Sequence, residues 1–364
     1  MTLPLASNVL PVSARRHVDV QSPSSLRMMA AKGLVPLASS DMVTALYLLT
    51  DDPEEEIRAA ARNTARSLPD RVLASAFRDE GVKAPVLDYF LAQFFDHQVY
   101  AEMLVLNGST SDVGVASVAD RCPLKTAEVV AHNQLRLLRH EDIIRALCRN
   151  PSASSALLDG VCDFAVRSGV KLFDVTQMNV ARERLFGPQG ILPGAEGEVT
   201  AENLLNDFRE LVEEKSPPME EGKRLNLTQR VLKMSIAEKI KLATLGNKEA
   251  RGLLMRDSNK LVAVAVIRSP RITDGEVMLS ASNRTVNEEV LRIIYSHREW
   301  SKDYPIKLAL VKNPKTPLTV SMKFLATLRD SEVRDLARNK NVPSGIQMHA
   351  KKMVNKKAET KGEG

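Results

Sequence analysis

The sequence predicts an all-α protein, an α-solenoid of short helix pairs in two tandem, related arrays. Three observations predict it. Apolar residues recur at helical rather than alternating spacing, in segments of only about three turns that could not bury a face alone. One phrase returns along the chain: a charged or polar start, an apolar helix face, a basic or apolar residue, Asn or Ser, and often Pro. Above it sits a longer period, and 364 residues exceed one ordinary compact domain unless the chain is an array.

Residues 1–24 come first and are expected to form a disordered lead. Arg15 and Arg16 follow a short apolar stretch instead of preceding one, the wrong order for a secretory signal. Residues 25–186 form the first helical array. The phrase appears there as Ile57-Arg58-Ala59-Ala60-Ala61-Arg62-Asn63 and as Ile144-Arg145-Ala146-Leu147-Cys148-Arg149-Asn150-Pro151. Asp52-Pro53 has the form of an N-cap followed by Pro at the first helical position.

Residues 187–222 form a linker. Gly187, Pro188, Gly190, Pro193, Gly194 and Gly197 mark a loop; Thr200 to Lys215 has the pattern of an amphipathic helix; Ser216 to Gly222 breaks it.

Residues 223–355 form the second array, and residues 356–364 a Lys-rich tail expected to be disordered. Ile236, Ile240 and Ala243 share one helix face, as do Val290, Ile293 and Ile294. Ser235 with Glu238, and Thr273 with Glu276, have capping-box spacing. Glu288 and Glu289 suit a solvated helix start. Leu261 to Ile267 is apolar and β-branched, so a strand is the alternative there. Helix is preferred because Leu308 to Val311 fills the equivalent slot with less branching. The phrase recurs as Val264–Pro270, Leu308–Pro314 and Val333–Asn339. Its Asn is expected to take the left-handed conformation that ends a helix, with Pro opening the next, as in Thr316-Pro317.

The longer period relates the arrays. Leu68–Leu73 aligns with Leu227–Leu232, Asn107 with Ser269, Cys122-Pro123 with Asn283-Arg284, and Asn150-Pro151 with Asn313-Pro314. The offsets are 159, 162, 161 and 163 residues. Four ordered anchors at nearly one spacing imply an old tandem duplication.

Composition bounds the rest. Hydrophobic content of 44% and charged content of 26% exclude global disorder, and aromatics at 4% leave a core built mainly of aliphatic residues. Cys122, Cys148 and Cys162 form no CxxC pair and lie in apolar contexts. They are expected to be small core residues of a cytoplasmic protein. No run reaches the ~18 apolar residues of a membrane helix.

Catalytic chemistry is not expected. His140-Glu141 begins like a zinc-protease helix, but no second His follows at Arg145 or its neighbours. The remaining histidines are scattered, no glycine of the linker is directly followed by Lys-Ser/Thr, and no Gly-x-Ser-x-Gly elbow exists. The expectation is a non-enzyme with no catalytic residue, metal ligand or cofactor.

Asn313-Pro314-Lys315-Thr316-Pro317 and Arg338-Asn339-x-x-Val342-Pro343 resemble HEAT-like and leucine-rich-repeat-variant α-solenoids. The second array is more similar to a bacterial group of uncharacterised HEAT-like proteins. The phrases that carry this are Ser235–Ala243, Gly246–Arg251, Arg256–Lys260, Ser269–Thr273, Arg298–Trp300 and Asn313–Pro317. The resemblance covers about Asn226 to Val354, implies a fold and no known reaction, and lacks the cysteine cluster of the iron–sulfur members.

Charge points to a function. From Lys223 onward, 29 Lys and Arg face 14 Asp and Glu, a net of +15; the preceding residues carry −9. Arg251, Arg256, Lys260, Arg268, Arg271, Arg284, Arg292, Arg298, Lys312 and Lys315 recur near turns, with Trp300 and Tyr304 among them. Stacked repeats would align them as a basic ladder, with Arg268, Arg271, Arg284, Arg298, Trp300 and Lys315 as the candidate binding residues. The competing reading is a solvated face and caps on helix carbonyls. The ladder suits an acidic protein surface, making the chain a scaffold for protein–protein interaction. A nucleic acid is the alternative partner.

Overall fold

The computed structural model describes residues 5–187, 228, 229 and 231–362, with side chains as far as 356. The amphipathic segment Thr200 to Lys215, nearly all of the linker, and the Leu227 and Arg230 positions of the first anchor lie outside the described residues. The chain divides into two compact units, Met1–Ala195 and Glu196–Gly364. Among the described residues both are helical and neither contains a strand.

In the first unit a 3-10 turn, Ser7–Val9, precedes α1 (Val12–Arg15), α2 (Ser24–Ala31), α3 (Ser39–Leu49), α4 (Glu55–Ser67) and α5 (Asp70–Phe77). There follow α6 (Ala84–Phe94), α7 (Gln98–Leu106), α8 (Asp112–Ala119), α9 (Leu124–His132) and α10 (Gln134–Arg139). The unit's last helices are α11 (Asp142–Arg149), α12 (Ser155–Arg167) and α13 (Thr176–Phe186). The second unit holds α14 (Ile236–Leu245), α15 (Lys248–Leu254), α16 (Lys260–Ile267), α17 (Asp274–Ser282) and α18 (Glu288–Ser296). After these come α19 (Tyr304–Lys312), α20 (Leu318–Leu325), α21 (Asp330–Arg338) and α22 (Ser344–Gly362).

Helices pack on the next and next-but-one in sequence: α6 on α7 and α8, α7 on α9, α14 on α15 and α16, α17 on α18 and α19. That local pattern is how a stack of helix pairs buries faces too short to be stable alone. Helix α4 shows the logic in one element. Ile57, Ala61 and Ala65 form its buried stripe, Glu55 and Glu56 occupy the positive end of its dipole, and Arg66 the negative end. Helix α16, the β-branched run, is a helix as expected, capped by Asn259 and with five of its eight residues buried. Both expected capping boxes form, Ser235 with Glu238 and Thr273 with Glu276, and Glu288 and Glu289 open α18 behind the cap of Asn287.

The second unit's core is aliphatic, with Ile240, Val266, Val290, Leu291, Leu310 and Leu336 buried. The first unit departs from the aliphatic expectation. Phe77, Phe90, Phe94 and Tyr100 cluster there, with Phe77 5.5 Å from Phe90 and 5.7 Å from Tyr100. Composition averaged over the chain hides a local concentration.

Three further expectations need correction. The lead residues are tied down: α1 forms, and Leu10, Ala14 and Val18 are buried. Helix α22 also continues into the tail as far as Gly362. Asp52 and Thr316 are not N-caps. Glu54 and Pro317 hold the N-cap positions of α4 and α20, neither with a side-chain hydrogen bond to its helix, while Asp52 is buried in an ion pair with Arg27.

The third correction concerns the phrase-ending Asn. Among the described residues, left-handed backbone is confined to Gly33, Gly169 and Gly187. Asn107, Asn150, Asn283, Asn313 and Asn339 all follow their helices in extended conformation, Asn313 at φ −82° and ψ 123°. Asn is used there for its amide. The Asn313 Nδ2 donates to the carbonyls of Ala281 (2.7 Å) and Asn283 (3.0 Å), and its Oδ1 accepts from the Lys315 N–H (3.0 Å). Asn150 repeats this on Ala119, Cys122 and Ser152, and Asn107 on Phe77, Asp79 and Ser109. Each buried Asn thus satisfies the open carbonyls at the end of a neighbouring helix. Ser269, aligned with Asn107, donates to one carbonyl, that of Thr244 (3.5 Å), and accepts from the Arg271 N–H (3.4 Å). Ala119 and Cys122 correspond to Ala281 and Asn283 at the offset read from the sequence, so the two units share this local geometry.

Candidate interaction surface

The ladder positions divide into three groups when each side chain is traced to its partners. Arg268 and Arg271 follow α16 and are exposed; the Arg271 guanidinium donates to the Leu245 carbonyl at the end of α14 (2.8 Å). Arg284 and Lys315 follow α17 and α19. Lys315 Nζ donates to the carbonyls of Thr285 (3.2 Å) and Val286 (2.8 Å), and Arg284 donates to the Asn341 carbonyl (2.6 Å). Arg298 and Trp300 belong to the turn after α18. Three of the six therefore bind main-chain carbonyls, and Arg271 does so at the negative end of α14.

Trp300 is no free platform. It is half-buried, its ring lies 4.0 Å from that of His297, and its backbone N–H points at His297 Nδ1 (3.4 Å). The first unit builds the same local device, with Tyr100 stacked 4.0 Å from His97 and its N–H on His97 Nδ1 (3.4 Å). His-x-x-aromatic was the available sequence signal for it.

Arg251, counted in the wider basic set, is buried. Its Nε and Nη2 grip the two carboxylate oxygens of Glu276 (2.8 and 3.0 Å), and Nη1 donates to the Gly246 carbonyl. Burial opposes ionisation of Glu276, but hydrogen bonds from Arg251 and Thr273 outweigh it and hold the carboxyl below the usual glutamate range. Arg136 plays a similar part in the first unit, donating to Asp112 and to the Asn107 and Thr110 carbonyls. Such buried arginines tie one repeat to the next and are unavailable to a partner.

What the structure does bring together is one stack of turns. The Arg284 and Lys315 contacts join the turns after α17, α19 and α21. In each of them an Asn Oδ1 accepts the N–H two residues on: Asn283 from Thr285, Asn313 from Lys315 and Asn339 from Asn341. Residues 283–287, 312–317 and 338–343 carry Arg284, Lys312, Lys315, Arg338 and Lys340 and no carboxylate. Lys312, Arg338 and Lys340 are exposed. Arg338 and Lys340 were absent from the sequence-derived ladder because their recruitment depends on the contact from Arg284, 57 positions away.

Nothing in this arrangement supplies a nucleophile and base pair. Among the described residues no group of three His, Cys, Asp or Glu side chains could hold a metal ion, and no helix is long and apolar enough to cross a membrane. Comparison with protein-family models, with curated proteins and with solved structures finds no match.

Proposed function

We propose that the chain is a HEAT-like, non-catalytic scaffold whose second array binds an acidic protein surface. The observation that carries this reading is the basic turn stack: five cations on three adjoining turns with no carboxylate among them. The Asn bonds and helix ends hold these turns in place, so a partner would meet pre-positioned charges. Lys and Arg on a rigid edge give electrostatic complementarity, which sets partner choice and association rate more than raw affinity. A nucleic acid is the second reading. It is favoured less, because Trp300, the aromatic that would have stacked a base, is engaged with His297.

The test is binding of the full chain to a polyglutamate peptide and to mixed-sequence DNA and RNA across a salt series. The double variant Lys312→Glu, Lys340→Glu changes two exposed cations without touching a carbonyl cap. The proposal expects peptide binding to fall at least tenfold in that variant, with an unchanged circular dichroism spectrum. Tighter binding to nucleic acid than to the peptide, weakening steeply with salt, would favour the second reading. Equal peptide binding by both proteins would remove the turn stack as the site.

A further inference from the structure

Cys148 and Cys162, fourteen positions apart, bring their sulfurs to 3.8 Å at the junction of α11 and α12. Cys148 lies in the last turn of α11 and is half-buried, whereas Cys162 is buried in the middle of α12. We propose that this pair is an oxidation site, at which hydrogen peroxide converts Cys148 to a sulfenic acid and Cys162 closes an intramolecular disulfide.

The chemistry balances in two steps. The Cys148 sulfur attacks one peroxide oxygen and the O–O bond breaks. Cys148 then carries S–OH, and the departing hydroxide takes up the thiol proton as water. The Cys162 sulfur next attacks the Cys148 sulfur, forming the S–S bond as the S–O bond breaks, and the second hydroxide leaves with the Cys162 proton as water. Two thiols lose two electrons in total and the peroxide is reduced to two waters.

Geometry assigns the two roles. Only Cys148 has access from solvent, so it meets the oxidant; Cys162 stands behind it and resolves the sulfenic acid. Bond formation needs the sulfurs to approach by about 2 Å, a movement on the scale of a side-chain rotation. The contact between the sulfurs pushes the Cys148 thiol below its ordinary range and the Cys162 thiol above it. The asymmetry therefore favours the thiolate on the accessible partner. The nearby Asp159 and Asp163 also disfavour a thiolate at Cys162, and Arg184 pairs with both of them.

Cys122 is the internal control. It is fully buried, its sulfur accepts from Asn150 Nδ2 (3.6 Å), and burial pushes its thiol up to about 11. The bond would enclose the turn at Asn150, whose amide holds the end of α8, and would staple α11 to α12 beside the Gln177 contact to the Cys148 carbonyl (3.1 Å).

The experiment is thiol counting on the reduced full chain after exposure to stoichiometric hydrogen peroxide, by denaturation in iodoacetamide and intact-mass measurement. Alkylatable thiols should fall from three to one, Cys122 remaining, with the chain monomeric on a non-reducing gel. Dithiothreitol should restore all three. In Cys162→Ala the reaction should stop at a Cys148 sulfenic acid that dimedone labels, and Cys148→Ala should keep both remaining thiols. The wild-type count requires no variant to fold. Three persisting thiols in the wild type, a bond involving Cys122, or a link between two copies would each overturn it.

Discussion

Replacing Asn313 by Ala removes three hydrogen bonds at a position only 1% exposed: two donated to the end of α17 and one accepted from Lys315. At roughly 1 kcal/mol net for each, the loss is about 3 kcal/mol, and the abandoned Ala281 and Asn283 carbonyls push it higher rather than lower. The assay is urea unfolding of the full chain followed by fluorescence of Trp300, the chain's single Trp, which therefore reports on the second unit. With a slope of about 2 kcal/mol per molar urea, the midpoint should fall by about 1.5 M. Asn283→Ala is the matched control, since its side chain only accepts, from Thr285 at the surface; its shift should stay below about 0.5 M. Asn313→Val separates the amide explanation from backbone strain. At φ −82° and ψ 123° a β-branched residue is at ease, so Val should cost no more than Ala. Equal shifts for Asn313→Ala and Asn283→Ala would refute the reasoning, and a Val variant much worse than Ala would restore a conformational account.

Glu276→Gln should destabilise the second unit at pH 7 by about 3 kcal/mol, because Arg251 is left buried without its counter-charge. The folded-state pKa of Glu276 lies below its ordinary 4.5. The extra stability of the wild type is therefore complete above that value and should vanish as pH falls through 4.5 toward the lower folded-state value, where the two unfolding midpoints converge. In the first unit, Gly114→Ala should be costly although Gly114 lies inside α8. A Cβ there would sit 2.3 Å from the Asp88 carboxylate, which accepts from the Ser111 N–H (3.0 Å) and hydroxyl (2.6 Å). A drop of several degrees in melting temperature, largely recovered by Asp88→Ala in the Gly114→Ala background, is the expected pattern.

Much of the fold was legible because its causes are local. Helical spacing, two capping boxes and acidic first turns are contacts among residues a few positions apart, and stacked pairs add mostly neighbour-to-neighbour packing. Of the aligned anchors, Asn150 and Asn313, 163 positions apart, keep one structural duty. The duty itself was misassigned. Sequence favours a left-handed Asn at a helix end, whereas the carbonyls that Asn313 serves lie 30 and 32 residues upstream.

The candidate site followed the same division. The sequence by itself pointed to helices throughout the described residues, to the capping boxes at Ser235 and Thr273, and to a charge of +15 from Lys223 onward. It could not sort those cations, because Lys and Arg read alike whether buried, capping or free. Only the tertiary structure decided that Arg251 is locked onto Glu276, that Trp300 leans on His297, and that Arg284 and Lys315 gather three turns into one basic edge. It alone also set the Cys148 and Cys162 sulfurs side by side. The physical reason is range. Caps and helix periodicity are fixed within a turn of chain, while a charge takes its role from whatever carbonyl or carboxylate the packing of other helices brings within about 3 Å of it.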